Sequence, residues 1–334
     1  MLLIPIPEHG RLRDMIFLFI RLALIHARVL LRNPVCLLLS LATALLTLLL
    51  PLAFAHTFGN TAARLAQDGG LAFQFVAGIV FAAYAACAIT GSARASGTEA
   101  LTLAKPVSPT LLFLARYAGI AGGLALFCVT TATATLLAMR IAEAFSPATG
   151  YCIDFTTATI AVASAILACL LGALLNRFRN ASFHASVFVL LPLLLIVTAG
   201  SSGFYNRLGA WQSPPAYTLD VAILTAALRI GLALLMFAAL TQVLALLLKP
   251  VSVGAAGLLI LALGLTLPGI SPAGSSPLRW LSMAIVPDWQ AFWTTSASGL
   301  VPPPMPGALW LYAFCYITAI LILGVHLFNR SEHA

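Results

Sequence analysis

Hydrophobic positions in this chain come in long unbroken runs, without the alternation of a half-buried strand. Apolar runs of about 20 residues are read as helices that cross a bilayer, because 1.5 Å of rise per residue then matches the hydrocarbon thickness. Eight are expected: Val35–Ala55, Leu71–Thr90, Thr110–Ala138, Cys152–Leu175, Ser182–Ala199, Val221–Leu248, Val251–Leu267 and Ala308–Phe328. Short polar connectors separate them, among them His56–Gly70, a tight basic turn at Asn176–Asn180 and a sharp turn at Lys249-Pro250. The connector 268–307 is too rich in proline to cross a bilayer, but its Trp280, Trp289 and Trp293 suit the interface. The expected fold is an all-α polytopic membrane protein with six to eight transmembrane helices, six if the sixth and seventh runs form a broken or re-entrant pair.

Residues 1–33 differ in pattern. On a helical wheel Asp14, Arg21, Arg28 and Arg32 fall within about 20° of one line, and apolar residues take up much of the remaining surface. This is the pattern of an amphipathic helix in the headgroup layer, with a cytosolic extension of the first span as the alternative. Asn33-Pro34 then ends it and starts the next helix. The chain divides into this interfacial helix, 1–33, and one transmembrane domain, 34–334.

Composition sharpens this. The chain is 61% hydrophobic and 8% charged, with a mean hydropathy of +1.04, against roughly 25% charged in a soluble domain. Its net charge of +8 comes from basic residues at the ends of apolar runs, which are topology signals and not a nucleic-acid face. With both termini inside, the inner segments carry twelve of the 17 Lys and Arg residues and the outer segments four, the bias of a multi-pass protein with cytoplasmic termini. The six cysteines form no Cys-x-x-Cys pair, so neither a metal cluster nor a disulfide framework is indicated.

The chemistry is mostly negative. The chain has no Gly-Lys-Ser or Gly-Lys-Thr phosphate loop, no Gly-x-Gly-x-x-Gly and no Gly-x-Ser-x-Gly. It is expected to be no enzyme and to bind no cofactor or metal directly. All nine carboxylates lie in connectors or at the start of a span, which disfavours an ion-coupled carrier. With Arg116 assigned to the inner end of its span, Arg229 is the one charge placed well inside an expected span; because that run exceeds the length needed to cross, the arginine is expected to snorkel to the outer interface.

One connector stands apart. Gly97–Pro109, GTEALTLAKPVSP, offers Thr98 as a helix N-cap, Glu99 in the first turn, an apolar face from Leu101 and Leu103, Lys105 near the C-terminus and Pro106 as the stop. It reads as a helix of one to two turns parallel to the inner surface, fit to enter a cleft in a soluble partner, or as an ordinary inter-span loop. Lys249-Pro250-Val251-Ser252 repeats Lys105-Pro106-Val107-Ser108, and is read as a common way to anchor one helix and start another.

The segment Gly97-Thr98-Glu99-Ala100-Leu101-Thr102-Leu103-Ala104-Lys105-Pro106-Val107-Ser108 resembles the coupling helix of type-2 ABC exporter permeases, which lies between their second and third spans. The basic N-terminus, Val286–Trp293 and the ending Leu327–Glu332 are similar to other parts of that family. Pro109, Asn329 and Ser331 depart from its usual pattern. The resemblance implies a permease subunit in the bacterial inner membrane, paired with a second copy or a related chain. Two ABC ATP-binding subunits would hold the ATP and Mg. It also implies that Thr98, Glu99, Leu101, Leu103, Lys105 and Pro106 of the connector 91–109 form the coupling contact. The alternatives are a membrane assembly or scaffold factor linked to such an ATPase, and a secondary transporter.

Overall fold

The structure, a computed structural model, describes residues 8–54, 61–91, 108–142, 144–146, 150–213, 222–270, 286–293 and 307–332. Ten α-helices make up these parts: α1 (Glu8–Leu31), α2 (Pro34–Ala53), α3 (Ala62–Ala86), α4 (Pro109–Ile141), α5 (Phe155–Arg179), α6 (Phe183–Ser201), α7 (Ala222–Leu247), α8 (Pro250–Ile270), α9 (Gln290–Trp293) and α10 (Gly307–Glu332). A π-helical turn, Cys87–Gly91, extends α3, and the strands β1 (Ala144–Ser146) and β2 (Gly150–Cys152) pair antiparallel between α4 and α5. Seven of the helices are long and apolar enough to cross a membrane. The chain is an all-α, multi-pass membrane protein.

The bundle is built around α4 and α7. About 50 Å long at 33 residues, α4 touches α1, α2, α3, α5, α6, α7 and α10. The most apolar window of α7 is 83% buried. Four buried threonines of α4 are satisfied within their own helix. Thr130, Thr131, Thr133 and Thr135 each donate a hydroxyl hydrogen bond to a carbonyl one turn back, at 2.7 to 3.1 Å. Two glutamines tie helices together: Gln74 Nε2 donates to the Ala227 carbonyl at 3.0 Å, and Gln242 Nε2 to the Phe113 carbonyl at 3.1 Å. Such bonds are favoured in lipid, where an unpaired amide has no water to turn to.

The amphipathic first helix packs along α4, with the backbone of Ala23 and Ala27 against Gly119. Apolar side chains such as Phe17, Leu24 and Ile25 remain about half exposed, in keeping with an amphipathic surface helix. The connector expected at His56–Gly70 is shorter, because α3 starts at Ala62 and carries Arg64 and Asp68 in its first turns. The basic turn expected at Asn176–Asn180 is helix through Arg179, closed by Asn180 in the left-handed region at φ 51°. Arg229 does not snorkel. It is 2% exposed, because α7 is enclosed by other helices along most of its length. Trp289 is likewise no interfacial anchor: at 1% exposure it packs edge-on against Phe237 of α7, 6.0 Å between ring centroids.

Candidate functional site

The described residues stop at the π turn at the end of α3 and resume at Ser108. The island residues Thr98, Glu99, Leu101, Leu103, Lys105 and Pro106 lie outside the described residues, so the site is seen through its two attachment points. At the re-entry, the Ser108 hydroxyl oxygen accepts from the Leu111 amide at 3.3 Å, and Pro109 takes the first helical position. A proline there costs no hydrogen bond and presets the helical φ. Pro109, which departs from the basic residue of the resembled pattern, is therefore the first residue of the longest helix.

At the exit, five residues (Cys-Ala-Ile-Thr-Gly) widen the helix into a π turn with Ile89 and Thr90 buried. Turns of this kind interrupt the regular ladder and often sit at functional places. Parts of α1, α4, α7 and α8 all pack on it. The Cys87 thiol lies 3.9 Å from the Pro250 carbonyl oxygen, and the Pro250 ring sits 4.0 Å from where a Cβ on Gly91 would be. Pro250 of the second Lys-Pro pair is thus brought against the π turn, where the connector 91–109 begins. Sequence spacing gave no hint of this, since 163 residues separate Cys87 from Pro250. Residues 247–252 are all exposed, with Leu247 at 61% and Val251 at 87%.

Two turns into α4, Arg116 is 1% exposed with its guanidinium carbon 5.4 Å from the centroid of the Phe328 ring, in cation–π contact. Phe328 also packs against Phe113, 5.8 Å between centroids. Phe328 lies in the last helical stretch of α10 and is buried. One turn further along α4, His26 of α1 lies over Gly119. Burial, together with the Arg116 charge, pushes the His26 imidazole down to about 4, so it is neutral near pH 7. Nearby, Asn33 exchanges hydrogen bonds with the Tyr84 hydroxyl at 3.0 and 3.1 Å, fixing the α1–α2 corner to α3. The island thus joins two helix ends that are braced by α1, α8 and α10.

The opposite end is closed by polar contacts. Arg140 Nε and Asp154 Oδ2 form an ion pair at 3.0 Å, with both side chains buried. Asp154 also caps α5, its carboxylate accepting from the Thr157 amide and hydroxyl, each at 2.8 Å. Arg140 Nη2 donates to the Tyr205 carbonyl at 2.7 Å, while Arg207 Nη1 donates to the carbonyls of Ala142 and Cys152. Asp154 was visible in sequence as the start of a span, but its burial and its partner were not. Among the described residues it is the one fully buried carboxylate.

Among the described residues no group of three or more His, Cys, Asp or Glu side chains could hold a metal ion. A cavity of about 510 Å³ lies between α4, α6 and α7, lined by twelve residues including Cys128, Ala132, Gly200, Leu228 and Gly231. Comparison with protein-family models, curated proteins and solved structures found no match to this chain.

Proposed function

We propose that this chain is the permease subunit of an ATP-driven exporter. It would pair with a second permease chain and two soluble ATP-binding subunits that hold the ATP and Mg. The observation that carries this reading is the anchoring of the island. Its two ends are the π turn of α3 and the capped start of α4, and α1, α7 and α8 converge on that turn. This is the arrangement a lever needs. A soluble partner displaces the island, and the displacement enters the central helix of the bundle. In this reading the island end faces the cytoplasm of a bacterial inner-membrane protein, and Thr98, Glu99, Leu101, Leu103, Lys105 and Pro106 touch the ATPase.

A self-powered carrier fits less well. Ion coupling needs a coordinating group at membrane depth, and the buried Asp154 is spent on Arg140 and on the cap of α5, at the very end of the bundle.

The test is Glu99→Lys in the reconstituted complex. Reversing the charge in the first turn of the island is expected to return ATPase activity to its unstimulated level while the permease keeps its thermal stability. Unaltered stimulation in that variant would remove the island from the mechanism.

A further inference from the structure

The cavity between α4, α6 and α7 is unused by the coupling argument. Its wall comprises Cys128, Val129, Ala132, Thr133 and Leu136 of α4, Ile196, Ala199 and Gly200 of α6, and Leu224, Ala227, Leu228 and Gly231 of α7. It belongs to the half of the bundle away from the start of α4, since these residues fall in the second half of α4, the end of α6 and the start of α7. Its volume, about 510 Å³, lies within the roughly 300–1,000 Å³ typical of ligand sites.

The wall is almost wholly apolar, and its hydroxyl and its bonded carbonyl are already engaged. The Thr133 hydroxyl donates to the Val129 carbonyl at 2.7 Å, and the Ala227 carbonyl is taken by Gln74. An apolar cavity without polar partners does not hold ordered water. The rim faces lipid: Val129, Ile196, Leu224 and Leu228 are 42, 50, 41 and 48% exposed on helices that cross the membrane. The depth comes from missing side chains. A Cβ on Gly200 would meet nothing within 4 Å, and one on Gly231 only the Cys128 sulfur at 3.7 Å.

We propose that this groove binds an acyl chain of a membrane lipid, entering sideways between α6 and α7. Spanning α4 from Cys128 to Leu136, it is about 12 Å long, enough for part of one chain. A hydrocarbon tail is the occupant that a lipid-facing, apolar opening admits, because it already fills the surrounding phase and needs no polar partner. The headgroup would remain at the interface beyond Leu136, near the exposed Trp211 ring. The inference does not depend on the ATPase reading.

The test uses the full-length protein in nanodiscs of phosphatidylethanolamine and phosphatidylglycerol, doped with a phospholipid that carries a photoreactive diazirine near the end of one acyl chain. Adducts are mapped by mass spectrometry. They are expected to be enriched several-fold in the peptides holding residues 128–136, 196–200 and 224–231 over the open lipid face of α8 at Leu258 and Leu259. Gly200→Leu and Gly231→Leu, which fill the groove, should remove that enrichment while α8 labelling and the gel-filtration profile stay as in the wild type. Equal labelling of groove and α8 would overturn the proposal. So would enrichment that survives in both filled variants, or cross-links between two copies of the chain through the groove in place of lipid adducts.

Discussion

The thiol of Cys87 lies 3.9 Å from the carbonyl oxygen of Pro250, so the α7–α8 turn rests on the π turn that precedes residues 92–107 in sequence. The exposed Val251 beside it faces away from the bundle. Val251→Glu should leave the thermal midpoint within about 1 °C of wild type, as surface changes usually cost under about 0.5 kcal/mol. If this turn belongs to the face that meets an ATPase, the same variant should reduce recovery of the complex on gel filtration. A normal complex would confine the docking face to the island.

Asp154→Asn removes one partner of a buried ion pair and leaves the Arg140 charge uncompensated. Such losses cost roughly 3–5 kcal/mol. Thermal unfolding in detergent should register a large fall in midpoint, and Arg140→Met combined with Asp154→Leu should recover a good part of it. A single variant as stable as wild type would contradict the buried pair.

His26 gives a pH dependence with a definite sign. Its folded pKa is depressed from 6.5 to about 4, so the unfolded chain binds more protons between those values. The contribution is fully present above pH 6.5 and is lost as pH falls toward 4. The difference in thermal midpoint between wild type and His26→Asn should therefore be constant from pH 7 to 8 and shrink between pH 6.5 and 4. A difference that grows on acidification would reverse the assignment.

Gly119 sets how closely α1 approaches α4. A Cβ there would lie 3.0 Å from the Ala27 amide nitrogen and 3.1 Å from the Ala23 carbonyl oxygen, neither of which can swing aside. Gly119→Leu should push α1 off the bundle at a cost of about 1–3 kcal/mol and expose the 8–31 segment to limited proteolysis. Unchanged protease resistance would contradict the docking of α1.

The spans were legible because a membrane demands long apolar runs, and a run reports its own presence wherever it packs. What it does not report is which neighbour it meets. The burial of Arg229, the tuck of Trp289 against Phe237 and the pairing of Arg140 with Asp154 all depend on contacts between distant segments. Local pattern therefore favoured an interfacial position for the first two. The amphipathic first helix was visible in its arginine line, but the glycine that receives it lies in another helix. The early start of α3 was masked by Arg64, Gln67 and Asp68, whose polarity reads as loop although the helix tolerates them in its first turns. The repeat of Lys-Pro-Val-Ser was seen and read as an anchor. Only the fold places Pro250 beside the π turn at Cys87–Gly91.

The most direct measurement is affinity capture of the tagged full-length protein from mild detergent, with mass spectrometry of its companions and an ATPase assay. The expected result is a stoichiometric ATP-binding subunit that is lost when Glu99→Lys and Lys105→Glu are combined. Recovery of the chain alone, without ATPase activity, under conditions that keep membrane complexes intact would contradict the permease account.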